Sequence, residues 1–133
     1  MARLIVSAVL AALLSGCAVG PRVERFAPAQ KPSGVEASLK FLAGTSVTGE
    51  LLEVENAALV ILNGNEVTRV AYTAIRSGTF AQTGITIQER KPLSVTEREQ
   101  LRLLSRFPQG LTPPLLASLL AAYRQTNIVA FPR

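Results

Sequence analysis

Residues 35 to 88 break into short apolar runs separated by tight-turn signals, and this crowding constrains the fold more than any other feature of the chain. Val35, Ala37, Leu39 and Phe41 alternate with Glu36, Ser38 and Lys40, which is the period of a half-buried strand. Past the turn residues Gly44 to Ser46, Val47, Gly49 and Leu51 share one parity while Leu52 and Val54 share the other, so a bulge or sharp bend is expected near Gly49 to Leu52. The continuous run Leu59 to Leu62 is followed by Asn63-Gly64-Asn65 and then Val67 to Tyr72. Asn-Gly tolerates the positive backbone angles of a tight hairpin, so these two runs are expected to pair. Further strands are expected around Ile75 to Phe80 and, after a turn at Thr83-Gly84, at Ile85 to Gln88. Five or six short strands within about 55 residues cannot bury enough surface as a flat sheet. A small, strongly bent β-barrel over residues 35–91 would provide a core and remove the sheet edges.

Residues 92–133 change period. Ser94 and Glu97 fit a capping box at the start of a helix from about Val95 to Arg106. Leu101, Leu103 and Leu104 give it an apolar side. Arg98, Arg102 and Arg106 recur every four residues elsewhere, either as a row touching anionic headgroups or as a solvated face partly balanced by Glu99. Phe107-Pro108-Gln109-Gly110 breaks this helix. Thr112 then caps a second one, with Pro113 and Pro114 in its first turn, running to about Arg124 or Gln125. Its apolar face of Leu115, Leu116, Leu119, Leu120 and Tyr123 is broader than one short neighbouring helix would cover, so it packs on the barrel, on its hairpin partner, or on another protein. Ile128 to Phe131 is a short apolar tail suited to an edge strand or a groove. The expected fold is therefore α+β, a small barrel followed by a C-terminal helical hairpin packed on it.

The first residues carry a different signal. Arg3, an apolar stretch from Leu4 to Leu14, and the small residues Ser15 and Gly16 have the architecture of a signal peptide over residues 1–16, too short for a membrane-spanning helix. Cys17 is the only cysteine, so no intramolecular disulfide can form. Residues 17–34 contain Pro21, Pro28 and Pro32, lack periodic apolar residues, and are expected to form a tether that spans at most about 55 to 60 Å when extended.

Leu14-Ser15-Gly16-Cys17 resembles the bacterial lipobox. That resemblance implies diacylglycerol on the Cys17 thiol, cleavage before Cys17, and acylation of the new amine. Each buried methylene contributes about 0.8 kcal/mol, so two or three acyl chains would hold the chain durably on a membrane where one would be marginal. Ala18, in the place where an Asp would retain such a protein, implies by the same resemblance the outer membrane facing the periplasm. In a host with one membrane the implied site is the outer face of the plasma membrane. Within the strand region, Gly49, Leu51, Val54, Glu55, Val60 and Leu62 resemble the first motif of the Sm-like family, and Ile75-Arg76-Ser77-Gly78 resembles its second with Ser77 inserted. The resemblance implies a small barrel of the Sm-like or SH3-like kind. It departs from RNA-binding members at Leu59, where those commonly have asparagine.

The formal charge is +5, but residues 35 to 92 hold one more glutamate than lysines and arginines together. The positive excess lies in the tether and the C-terminal region, which disfavours a phosphate-tracking surface on the strand body, and nucleic acid is not an expected partner. The chain has no His and no Asp, and its one cysteine is assigned to lipid. Its glutamates, tyrosines, lysines and serines form no recognisable catalytic constellation, phosphate loop or metal spacing, so neither catalysis, a cofactor nor a metal is expected. The expected role is a membrane-anchored scaffold or protein-interaction module of the cell envelope. Leu115, Leu116, Leu119, Leu120 and Tyr123 are candidate partner contacts, and Arg98, Arg102 and Arg106 candidate headgroup contacts. The alternative is a carrier or sensor of a small apolar or cell-wall ligand, which would need a real cavity between barrel and helices with a few converging polar groups.

Overall fold

The computed structural model describes residues 33–132. The expected signal segment 1–16, Cys17 as the expected lipidation site, Arg133 and all but the last two residues of the expected tether lie outside the described residues. Seven strands and two helices follow in the order β1 (Glu36–Phe41), β2 (Ser46–Val54), β3 (Ala58–Asn63), β4 (Glu66–Ala71), β5 (Ile75–Phe80), β6 (Thr86–Gln88), α1 (Val95–Leu104), α2 (Pro113–Ala122) and β7 (Val129–Phe131). A short 3-10 turn, Tyr72–Ala74, joins β4 to β5. The fold is α+β.

One mixed sheet contains all seven strands in the order β6-β5-β1-β2-β3-β4-β7. Its pairs are antiparallel except β4 with β7, where Thr68 pairs with Val129 and Val70 with Phe131 in parallel register. The β3–β4 hairpin closes with Asn63 opposite Glu66. The positive φ of 61° falls on Gly64, so Gly64 and Asn65 form the loop and Asn63 ends the strand.

The bulge demanded by the parity change in β2 is present. The register against β3 shifts between Leu51 and Glu53, and both Leu51 and Leu52 are fully buried. The shift sends Leu51 into one apolar cluster and Leu52 into another. The first cluster lies among Leu39, Phe41, Leu51, Leu59, Ile61, Val70, Ile75 and Leu101. The second is smaller, with Leu52, Val60 and Val67 against Leu119 and Leu120. β3 is buried on both faces for this reason: Leu59 and Ile61 point to the first cluster and Val60 to the second, which is what a continuous rather than alternating apolar run permits.

The sheet is not a closed barrel, which corrects the expectation from strand density. β6 and β7 are its edges; six of its strands lie within residues 35–91, where five or six were expected, and the seventh is the apolar tail Val129–Phe131 adding as an edge strand. It is nevertheless strongly bent, since the rings of Phe41 in β1 and Phe131 in β7 stand 5.0 Å apart across the three intervening strands. Other elements cover part of what a barrel would hide. α2 packs its leucines over the second cluster, and β7 with Gln125 covers the outer edge of β4. The Gln125 side-chain carboxamide accepts from the Val67 amide at 2.7 Å and donates to the Val67 carbonyl at 3.1 Å, so a side chain substitutes for a strand residue where β7 does not reach.

The helices contribute to different clusters, Leu101 of α1 to the first and Leu119 and Leu120 of α2 to the second. The capping box is formed: the Glu97 amide donates to the Ser94 hydroxyl, and the Ser94 amide to the Glu97 carboxylate. α1 ends at Leu104, before the expected Arg106, because the Arg106 and Phe107 amides donate instead to the Leu51 and Leu52 carbonyls at the β2 bulge. α2 starts on the Thr112 cap with Pro113 in its first turn, and stops at Ala122, short of Arg124.

Candidate functional site

Chemistry-bearing side chains gather where the chain turns back from β6 into α1. After β6, the Lys91 amide donates to the Gln88 carbonyl and the Gln88 amide to the Lys91 carbonyl, closing a tight turn over 88–91. That turn returns Pro92 and Leu93 toward the sheet, and the Ser94 capping box fixes the start of α1 directly after them. Opposite lies the 3-10 turn after β4. Between these segments opens a cleft of about 280 Å³, lined by Tyr72, Thr73, Ile75, Ile87, Leu93 and Arg98, with Asn56, Gln88, Glu89 and Pro92 at its margins. Ile75 and Ile87 are core residues, only 2% and 4% exposed, so the floor of the cleft is the edge of the first apolar cluster.

The Tyr72 hydroxyl donates to the Glu55 carbonyl at 3.0 Å, which fixes the ring as one wall. Burial pushes its pKa up to about 12; the positive charge of Arg98 opposes that rise and the charge of Glu55 adds to it. Tyrosine in an unfolded chain ionises near about 10, so the neutral hydroxyl favours the folded state. That contribution is complete below a pH of about 10 and is lost as pH rises through about 12. Tyr72→Phe is therefore expected to flatten the alkaline decline of stability across that window, at a cost of about 1 kcal/mol at neutral pH from the lost hydrogen bond. Urea melts at a series of pH values measure this; identical alkaline slopes for the two proteins would contradict the assignment.

The three arginines spaced by four residues do not act as one row. Arg106 pairs with Glu50, whose carboxylate also accepts from the Gly34 amide at 2.9 Å, and both side chains are largely shielded. Glu50 holds the Arg106 guanidinium above its ordinary pKa. Arg102 is held by Glu99 and by the Pro108 carbonyl. Arg98 is the one of the three that lines the cleft.

The candidate partner face on α2 is mostly consumed by the fold. Leu119 and Leu120 are buried in the second cluster, and Leu116 and Tyr123 are half-buried against it. Leu115 remains 46% exposed. An open groove beside the helix is lined by Arg69, Leu116, Ala117, Leu120 and Ile128. Elsewhere, burial raises the Glu53 carboxyl above its usual pKa, the Leu111 amide counteracting it, and Arg69 forms a two-pronged pair with Glu55. Among the described residues no group of His, Cys, Asp or Glu side chains could hold a metal ion, and no helix is long and apolar enough to cross a membrane.

Tyr72, Gln88, Leu93 and Gln125 were not singled out by the sequence. No family model matches the chain, and no curated protein or solved structure matches it either.

Proposed function

We propose that this protein is a lipid-anchored, non-catalytic module of the cell envelope, carried on acyl chains at Cys17 and working through contacts of its folded domain. The observation that carries the reading is the lipobox-like Leu14-Ser15-Gly16-Cys17 at the end of a short apolar signal, ahead of a sheet whose first strand is Glu36–Phe41. The proline-containing tether between them would let the domain stand off the bilayer. The outer membrane facing the periplasm is the proposed location, following from Ala18. The sheet is read as an opened relative of the Sm-like and SH3-like small β folds, with α1 and α2 as its helical cover.

The test is metabolic labelling with a palmitate analogue, comparing the native chain with Cys17→Ser. Label and membrane association that both disappear in Cys17→Ser are the expected result. Undiminished membrane association of the unlabelled variant would defeat the reading.

A second reading is supported by the cleft between the sheet and α1, in which the same anchored domain holds a small ligand. The cleft has the mixture of apolar and polar lining that such a site needs, at a size that suits only a small ligand.

A further inference from the structure

We propose that the cleft beneath Arg98 binds a small monoanionic amphiphile, a carboxylate on a short apolar body. It rests on reading the cleft as a small-ligand site, and adds the class of ligand. Three observations converge on that class.

The first is the state of Arg98. Carboxylates on the same helix are engaged elsewhere, Glu97 by the Ser94 amide and Glu99 by Arg102. The residues three and four positions from Arg98 on α1 are Val95, Ser94, Leu101 and Arg102, none of them acidic, so the helix offers it no carboxylate at pairing distance. A guanidinium placed at a concave apolar site gains most from an anion that arrives with the ligand, because the surroundings screen the pair less than bulk water does.

The second is the floor. Leu93 and the Tyr72 ring, both half-buried, present apolar surface in the same cleft over the buried Ile75 and Ile87, which an inorganic anion would leave uncovered and a hydrocarbon body would bury. The capping box also closes the helix N-terminus with the protein's own carboxylate, so the guanidinium is the anion-recognising group.

The third is the margin. Glu89 lines the cleft beside Gln88, and a second negative charge on the ligand would meet it. A volume of about 280 Å³ lies just below the range of about 300 to 1,000 Å³ for drug-sized ligands, which fits a chain of a few carbons or a single ring.

The experiment uses the full chain in nanodiscs of neutral phosphatidylcholine, with isoleucine methyl groups labelled for NMR, titrated with hexanoate and with hexanamide. Hexanoate is expected to shift the Ile75 and Ile87 methyls with at least about tenfold higher affinity than hexanamide. Arg98→Gln is expected to erase that advantage while leaving hexanamide binding in place, and Arg98→Lys to restore part of it. Arg124→Gln removes an equal charge elsewhere and should change nothing. Equal affinity for acid and amide would overturn the anion assignment while leaving a small-ligand cleft. No shift at Ile75 or Ile87 with either compound would overturn both, and shifts confined to Ile128 would move the site to the groove beside α2.

Discussion

Gly49→Ala is expected to destabilise the domain by about 3 kcal/mol, at the upper end of what single substitutions by overpacking do. Gly49 sits in β2 opposite Ala37 of β1, and a methyl group at its Cα would stand 2.3 Å from the Leu62 carbonyl oxygen and 2.8 Å from the Leu62 carbonyl carbon. Those atoms are backbone of β3, held by pairing on both sides, so no side-chain rotation can relieve the clash. β2 would have to move away from β3 just where the bulge divides Leu51 and Leu52 between the two clusters. Gly78→Ala is the control. Its added methyl would meet the Leu39 Cδ2 atom at 2.6 Å, the end of a side chain that can adjust, and the expected loss is smaller. Urea denaturation of both variants measures the contrast, and a Gly49→Ala protein as stable as the parent would refute the close approach of β2 and β3.

Leu120→Glu is expected to release α2 from the sheet and cost about 3 kcal/mol or more, since an unpaired carboxylate would enter an apolar site. Leu120 is 7% exposed and belongs to a cluster of only five buried residues, with Leu52, Val60, Val67 and Leu119. Although Leu116, Tyr123 and other half-buried side chains pack around it, a carboxylate at its centre should free the helix while the first cluster persists. Hydrogen exchange should show lost protection across residues 113–122 and at Val67, with β1 and β5 still protected. Leu115→Glu on the exposed flank should leave exchange nearly unchanged. Retained protection of α2 in Leu120→Glu would mean that the helix is held by something other than this cluster.

Local chemistry of the fold was legible in the sequence. The Ser94–Glu97 capping box, the hairpin at Gly64, the alternation of β1 and the bulge after Gly49 each follow from residues close together in the chain, where propensity and geometry act directly. Closure was misread because strand number and turn density do not reveal what covers an edge. That depends on Val129–Phe131 returning to β4 some sixty residues away, and on a Gln125 side chain imitating backbone. The same distance problem hides the cleft, whose walls come from residues 56, 72–75, 87–93 and 98 with no motif spacing between them. One signal was present: on α1, Glu99 stands three residues before Arg102, whereas no acid stands three or four residues from Arg98. Equal spacing made the three arginines look alike, but their partners, Glu50 on a strand and Pro108 in a loop, make them different.

The most direct test of lipid anchoring is the intact mass of the protein extracted from membranes. A chain that begins at Cys17 and carries the mass of diacylglycerol, with or without a further acyl group on its amine, is the expected result. A chain that retains Met1, or that begins elsewhere with no acyl mass, would contradict it.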